Sequence, residues 1–274
     1  MPSRLYPFKT LALLTLLSSL TACVTNPITG RSQAMTVSDG DAARTSASAY
    51  QALLGEAQSQ KRLDEDPQEV QRVKHIAEAV IQRAIQLRPQ TSYWSWDVHV
   101  LKSDEINAWC MAGGKIAVYT GLLKTIQPTD DELAVVLGHE IAHALLSHQA
   151  EKMSRAQMQN AGISIGLITA SALGFGVPGM GTLASSAAQL GLELPNSREA
   201  ETEADQVGLR LSAEAGFNPE AAVSLWEKMA QYSNSRTPGW LSTHPDPGSR
   251  INAMRMEAEQ LKPVYEAAKA QKSP

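Results

Sequence analysis

Two stretches of the chain carry apolar residues at the three- and four-residue spacing of an amphipathic helix. The first opens at Asp66-Pro67, where aspartate can cap a helix and proline suits its first turn, and it runs to about Leu87. The second follows Thr129, which can cap it, and Glu132 completes a Thr-x-x-Glu capping box. Both patterns predict helices, and the second predicts a long, largely buried one. The apolar positions are Val70, Val73, Ala77, Val80, Ile81 and Ala84 in the first stretch, and Leu133, Val136, Leu137, Ile141, Ala144 and Leu145 in the second.

Between these two helices the pattern changes to that of short strands. Residues 96–100 alternate apolar and polar, and the runs 108–111 and 115–119 flank a Gly113-Gly114 turn. We therefore predict a fold that is mainly α with one small β-sheet, an α+β architecture, in which the sheet lies beside the second helix.

The second helix carries His139-Glu140-Ile141-Ala142-His143, a spacing that suits a metal ion. Residues four apart lie about 40° apart around a helix and roughly 6 Å along it, so both imidazoles can reach one ion. Glu140 lies about 100° round the helix, beside the ion without binding it. Zinc held in this way keeps a position open for water, and Glu140 is placed to act as general base. The alternative is a helix with two ordinary histidines, because so short a motif also occurs by chance.

A further helix is predicted from the cap Asn196 to about Ala213, with four carboxylates in its first turns. Helical phase separates these carboxylates into two pairs. Glu199 and Glu203 lie on a polar face, which is most simply solvated.

Glu201 and Asp205 fall on the opposite, small-residue side, which should pack against another helix. Burying two acids there is costly unless a cation receives them. We therefore expect Glu201 to be the third zinc ligand and Asp205 to accept a hydrogen bond from His139. Arg198 is a further candidate beside these acids; the alternative is that it pairs with them in a cluster that holds no metal. The small residues on this side are Ala200, Ala204 and Gly208.

These motifs resemble the HtpX-like zinc metallopeptidases, gluzincins related to the CAAX prenyl proteases, whose pattern is HExxH followed by SRxxExxAD. The resemblance extends over most of residues 65–260, and the short lipoprotein peptidases of the LoiP type are the most similar members. It implies a gluzincin-type domain with two zinc-ligand helices, one Zn2+ ion per chain and Glu201 as third ligand. The matching residues are His139, Glu140, His143, Ser197, Arg198, Glu201, Ala204 and Asp205.

The resemblance also implies roles outside these two motifs. The expected reaction is metalloendopeptidase cleavage, with an extended substrate along an exposed sheet edge. Asn107, Gly113 and Gly114 would border that edge, and plain turn chemistry is their alternative. His244 is expected to reach the zinc as a fourth ligand or to stabilise the oxyanion once it has moved, with a structural role as the alternative. The position of His148, five residues past His143, separately predicts that it caps its helix or supports a ligand and does not itself bind the metal.

The N-terminus has the form of a bacterial lipoprotein signal peptide. Basic residues precede an apolar run at 11–20, and Leu20-Thr21-Ala22-Cys23 is similar to a lipobox, so cleavage before Cys23 and lipidation of its thiol are expected. The run is too short for a permanent membrane span, although an uncleaved anchor is the alternative. The predicted divisions are a signal peptide (1–22), a lipidated tether with a first helix near 42–54 (23–63) and a zinc metallopeptidase domain (64–274).

The net charge and the expected cellular location limit the possible partners and substrates. Without residues 1–22 the chain keeps 252 residues and a formal charge of −6, since that segment carries two cations and no acids. One ordinary domain with no basic patch is expected, and no nucleic-acid partner. Val24 after the lipidated cysteine indicates the periplasmic face of the outer membrane of a Gram-negative bacterium, with misfolded or damaged envelope proteins as substrates. The alternative is a zinc-binding envelope assembly factor or chaperone with little proteolysis. Cys110 is expected to be a buried, inert thiol.

Residues 156–192 contain no charged residue, and glycines between 174 and 181 interrupt them. We expect a lid or membrane-facing loop here, with a helical hairpin packed on the core as the alternative. The G-x-S-x-G pattern at 162–166 would suit a lipase using Ser164, but no strand precedes it, so we discount that rival. A dinucleotide-like glycine pattern at 174–179 is interpreted as a flexible break.

Overall fold

The structure is a computed structural model, and it describes residues 23–158, 196–233, 243–244 and 247–272. The expected signal peptide, almost all of the uncharged stretch 156–192 and both glycine patterns within that stretch lie outside the described residues.

The described chain is mostly helical with two small sheets, which confirms the predicted α+β class. A 3-10 turn at Pro89–Tyr93 and a π-helical turn at Leu122–Ile126 connect the main elements. The strands are β1 (Cys23–Thr25), β2 (Ser32–Ala34), β3 (Asp97–Leu101), β4 (Ala108–Met111) and β5 (Lys115–Tyr119). The helices are α1 (Asp39–Ser59), α2 (Pro67–Leu87), α3 (Asp130–Leu145), α4 (148–158, where the described segment ends), α5 (Arg198–Glu214), α6 (Ala221–Ser233) and α7 (Pro247–Lys272).

Three of the strands form one sheet in the order β3-β5-β4. β3 runs parallel to β5, with Val98 opposite Ile116, and β4 runs antiparallel to it, with Cys110 opposite Ile116. β4 and β5 begin and end where the sequence pattern places them. Gly113 and Gly114 form the turn between them with φ of +82° and +78°, a backbone conformation that favours glycine.

The core lies between α2, the sheet and α3. The apolar stripe of α2 is buried against β3 and α3, as the periodicity predicted. Every residue of α3 from Glu132 to Leu145 is buried, and Thr129 forms the predicted capping box with Glu132. α3 packs most extensively against α5, and the Ser212 hydroxyl donates a hydrogen bond of 2.8 Å to the carbonyl of Ala134. The two helices predicted to carry the metal ligands are therefore direct neighbours.

The first residues of the segment predicted to be a lipidated tether form a β1–β2 hairpin docked on the end of α3. The side-chain amides of Asn26 and Gln33 donate hydrogen bonds of 2.9 and 2.8 Å to the carbonyl oxygen of Leu146. They satisfy a backbone group that the helix end leaves without an intrahelical partner, which explains why this polar segment is ordered. Cys23, the expected lipidation site, is exposed at the start of β1.

Among the helices that the structure describes, none is both long enough and apolar enough to cross a membrane.

Candidate metal centre

Four side chains from three segments converge beside the crossing of α3 and α5. They are His139 and His143 on α3, Glu201 on α5 and His244 in the short segment before α7. Each offers one ligand atom, and these atoms all lie within 4.8 Å of one another. All four residues are buried, so these atoms face one another rather than water.

The spacing of these atoms fits a tetrahedrally coordinated ion. Nε2 of His139 lies 3.0 Å from Nε2 of His143 and 3.1 Å from Nδ1 of His244. Oε1 of Glu201 lies 3.2 Å from Nε2 of His143 and 3.0 Å from Nδ1 of His244. Ligand bonds of about 2.05 Å give a tetrahedral edge of roughly 3.3 Å, close to these separations. Imidazole and carboxylate donors are a set that zinc prefers, and the cluster fits a zinc ion.

The start of α5 differs from the predicted start by one residue, and the difference places a polar group in the site. Ser197, not Asn196, is the N-cap, and its hydroxyl accepts a hydrogen bond from the backbone N–H of Ala200. The Asn196 amide turns inward instead and donates a hydrogen bond of 2.8 Å to Oε1 of Glu201. The hydrogen bond to Glu201 therefore outweighs the capping tendency of Asn196.

Asp205 lies one turn after Glu201 and 3.0 Å from Nδ1 of His139. The guanidinium of Arg250 donates hydrogen bonds of 2.7 and 2.5 Å to the two oxygens of Asp205, and it also lies 2.8 Å from Glu201. Arg250 stacks over the ring of Trp226 at 4.0 Å, which fixes its orientation.

Arg198, predicted to support the site, is the first residue of α5 and is exposed. The arginine that neutralises Glu201 and Asp205 is Arg250, which reaches them from α7.

Glu201 and Asp205 carry two negative charges against the one positive charge of Arg250, which leaves a net negative charge beside the histidines. Burial works to lower the pKa of His139, but the adjacent Asp205 and Glu201 outweigh it and raise that pKa to about 9. Burial holds the pKa of His143 well below its usual range. Burial works to raise the pKa of Glu201, but His244, His139 and His143 outweigh it and lower it strongly, so the carboxylate remains ionised. A cation is favoured at such a site.

His148 lies against a ligand, as expected of a supporting residue, with its Nδ1 2.8 Å from Nδ1 of His143. Its Nε2 lies 3.0 Å from Glu203. Glu203, predicted to be solvated, is therefore engaged, and Arg31 from the β1–β2 hairpin also donates to it at 2.8 Å. The hairpin covers a helix face that would otherwise be exposed.

Glu140 is buried, 3% exposed, and its Oε1 lies 3.4 Å from Nε2 of His244. Cys110 on β4 is buried nearby, and burial followed by the charge of Glu140 raises the pKa of its thiol well above the usual value. The thiol is therefore protonated, as expected of an inert residue.

The predicted substrate edge corresponds to β4, which is an edge strand of its sheet and packs on α3. All four residues of β4 are buried. Asn107 precedes β4, is half-buried, and donates a hydrogen bond of 3.3 Å to Glu105.

Gly113 and Gly114 do not border an open cleft. An added β-carbon at Gly113 would lie 3.1 Å from the side chain of Ala43, and one at Gly114 would lie 2.6 Å from the ring of Trp96. Both glycines are buried under these neighbours, so turn geometry and close packing account for them.

Sequence reasoning missed the supporting polar residues Asn196, Glu203, Arg31 and Arg250. Of these, only Arg250 could have been identified from the sequence, because it follows His244 by six residues within the region of family resemblance. Arg31 lies 172 residues from its partner Glu203, and no local pattern joins them.

A helix that bears two histidines and a general-base glutamate, packed on a second helix that bears a glutamate ligand, defines the gluzincin class of metallopeptidases. The chain belongs to Peptidase family M48, whose family model matches residues 67–258.

Relatives within this class come from mitochondria and from bacteria. The chain is 33% identical over 239 residues to the mitochondrial metalloendopeptidase OMA1 of Bos taurus, an alignment that covers 82% of this chain and 44% of that protein. It is 34% identical over 173 residues to the beta-barrel assembly-enhancing protease of Yersinia pestis, covering 60% of this chain and 35% of that protein. The aligned region is therefore less than half the length of each of these relatives.

Proposed function

We propose that the protein is a zinc-dependent endopeptidase that hydrolyses peptide bonds of unfolded proteins, with Glu140 as general base. The observation that carries the proposal is the convergence of His139, His143 and Glu201, from two helices, on one buried point. When bound there, zinc acts as a Lewis acid that polarises a carbonyl and lowers the pKa of water to about 7.

Glu140 performs the proton transfers in this proposal. It follows ligand His139 directly, so the helix holds its carboxylate beside the donor cluster without making it a fifth donor. The carboxylate takes a proton from the attacking water and delivers it to the departing amine. A positioned general base contributes about 100- to 10,000-fold in rate.

His244 makes the resting arrangement latent in this proposal. Its ring lies between the donor cluster and Glu140, with Nδ1 3.1 Å from His139 and Nε2 3.4 Å from Glu140. The scissile carbonyl needs this space, so His244 must move aside before cleavage. The burial of β4 supports the same requirement, since an extended substrate can pair with that strand only after a rearrangement.

We further propose that the protein is a lipoprotein peptidase of the short LoiP type, anchored through Cys23 at the periplasmic face of the outer membrane, where it removes misfolded envelope proteins. The lipobox-like Leu20–Cys23 segment, the exposure of Cys23 and the similarity to a bacterial beta-barrel assembly-enhancing protease support this location. Incorporation of labelled palmitate in a Gram-negative host tests it. The label should enter the wild type and be absent from Cys23→Ala, and an unlabelled wild type would contradict it.

The position of His244 favours one rival, a zinc-binding assembly factor that binds envelope proteins without cutting them. Casein cleavage by the wild type and by Glu140→Gln, with zinc analysis of both, separates the two functions. The substitution keeps the ligands, so we expect one zinc ion in each protein and cleavage at least about 100-fold slower in the variant. Cleavage should also stop with a chelator and return with zinc.

Two results would contradict the peptidase proposal. Equal cleavage by both proteins would remove Glu140 from the reaction. If the wild type and Glu140→Gln both bind zinc, and neither of them nor His244→Ala cleaves casein, the assembly factor would be favoured.

A further inference from the structure

The donor cluster determines where the proton of His143 lies. Its Nε2 faces the cluster, 3.0 Å from His139 and 3.2 Å from Glu201, and a nitrogen that binds a cation must offer its lone pair. A neutral imidazole then carries its proton on Nδ1. Since Nδ1 of His148 lies 2.8 Å away, His143 donates this hydrogen bond and His148 accepts it.

The orientation of His148 follows from that bond. Because its Nδ1 accepts, its proton lies on Nε2, which donates to Oε2 of Glu203 at 3.0 Å. His148 is only 3% exposed, so the surrounding protein holds the ring in this position. Two imidazoles in series thus connect the metal centre to the carboxylate of Glu203.

Residues of the β1–β2 hairpin bind that carboxylate. Nε of Arg31 donates to Oε2 of Glu203 at 2.8 Å, and the hydroxyl of Thr29 is also hydrogen-bonded to it. The other face of Arg31 is fixed by two hydrogen bonds of 2.9 and 2.6 Å to Glu151.

The second ligand histidine is supported in a parallel way. His139 meets the carboxylate of Asp205, which Arg250 neutralises with a bidentate pair. His143 meets an arginine-neutralised carboxylate too, but with His148 placed between. Each ligand histidine is therefore connected by hydrogen bonds to a carboxylate–arginine pair. Such partners orient the imidazole ring and strengthen it as a metal ligand.

We propose that His148, Glu203 and Arg31 form a positioning relay that holds His143 in its metal-binding orientation, and that the N-terminal hairpin is therefore part of the metal centre. The proposal rests on the zinc site of the proposed function and adds three positioning residues from outside the HExxH and SRxxExxAD motifs. None of the three touches the substrate; each acts through His143.

The test is the zinc affinity of the full chain, measured by competition with a chromophoric chelator. His148→Phe fills the same space but accepts no hydrogen bond, and we expect about 10- to 100-fold weaker zinc binding. His148→Asn places its side-chain oxygen near the position of Nδ1 and should recover most of this loss. Glu203→Gln should weaken binding less than His148→Phe. The exposed Arg210→Gln, on the same helix as Glu203, is the control and should bind as the wild type does.

A second readout is the visible absorption of the cobalt-loaded protein, which reports ligand geometry. His148→Phe should shift these bands, while His148→Asn and Arg210→Gln should leave them close to those of the wild type. A double variant joining His148→Phe to Glu203→Gln should lose no more affinity than His148→Phe alone, because Glu203 acts only through His148.

Several results would overturn the relay. Wild-type affinity in a folded His148→Phe would do so, as would equal losses in His148→Phe and His148→Asn, since that would indicate packing alone. Additive losses in the double variant would show that Glu203 acts independently. If His148→Phe does not fold, the zinc affinities of Glu203→Gln and Arg31→Met provide the test. Wild-type zinc affinity in both variants would reject the proposal. A wild type that binds no zinc would instead contradict the proposed function.

Discussion

Gly138 and Gly208 bring the backbones of α3 and α5 into direct contact, one residue away from the ligand His139. A β-carbon at Gly138 would lie 2.5 Å from the carbonyl oxygen of Gly208, and one at Gly208 would lie 2.6 Å from the backbone nitrogen of His139. Any larger residue would force the helices apart. This crossing is why Nε2 of His139 lies only 3.5 Å from Glu201, which is on the other helix.

We expect Gly208→Ala to weaken both the fold and the metal centre. The added methyl meets backbone atoms that cannot turn aside, and overpacking of this kind costs about 1–3 kcal/mol. Urea unfolding and zinc competition measure the two effects. Gly55→Ala in α1 is the matched control, because nothing lies within 4 Å of its added carbon. That control should be unchanged or about 0.5–1 kcal/mol more stable. Wild-type stability and affinity in Gly208→Ala would contradict the role of the crossing.

Arg250 should be irreplaceable by lysine. Its planar group binds both oxygens of Asp205 in a bidentate pair while stacking over Trp226, and a lysine ammonium has no planar fork with which to do so. Each charge-assisted hydrogen bond lost in this way costs about 1.5–3 kcal/mol. We therefore expect a large drop in melting temperature for Arg250→Lys, measured with and without chelator. Arg255→Lys, on the exposed surface of the same helix, is the control. Equal melting temperatures for the wild type and Arg250→Lys would reject this role.

His244→Ala distinguishes the two roles considered for that residue. If its ring blocks the reacting position, removal should raise kcat/KM for casein several-fold, because more of the enzyme is competent, while zinc binding weakens through loss of a donor. If the ring stabilises the oxyanion, activity should instead fall about 100- to 1,000-fold. We expect the rise. His75→Ala, at an exposed position on α2, controls for loss of a histidine. No change in either activity or affinity would contradict both roles.

Glu132 should contribute to acid sensitivity. Burial works to raise its pKa, but hydrogen bonds from Lys228, Ser224 and the backbone of Thr129 outweigh it and lower that pKa. Because the folded pKa lies below the unfolded value of roughly 4.3, the carboxylate stabilises the fold above that pH, and this stability is lost as pH falls through the folded pKa.

The free energy of unfolding, measured in urea with chelator present, should therefore fall more steeply between about pH 5 and pH 3 in the wild type than in Glu132→Gln. Glu227→Gln, at an exposed position on α6, should behave as the wild type does. Parallel curves for the wild type and Glu132→Gln would contradict this assignment.

Local patterns predicted the parts of the molecule that local forces determine. The capping box of Thr129 and Glu132, the buried face of α2 and the β4–β5 hairpin are all encoded within a few residues, and the structure confirms each of them. The same holds for the small-residue face of α5, which packs on α3 through Gly208.

The misjudged residues depend on side-chain contacts that capping preference and helical phase do not show. Ser197 and Asn196 are equally good caps, and the choice between them is made by Glu201, five residues after Asn196, which accepts a hydrogen bond from the Asn196 amide. Glu203 lies on a polar face that becomes covered because the N-terminal hairpin docks there, and its partner Arg31 lies 172 residues away along the chain.

The position of His244, 105 residues after His139, determines which part of the molecule unfolds first. An ion bound by both residues cross-links two positions that are far apart in the chain. α3 and α5, in contrast, are already packed together at their glycine crossing. Chelation should therefore separate Thr243 and His244 from the two helices first and leave α3 and α5 assembled. Loss of zinc would then cause local unfolding at His244 well below the temperature at which the whole domain unfolds.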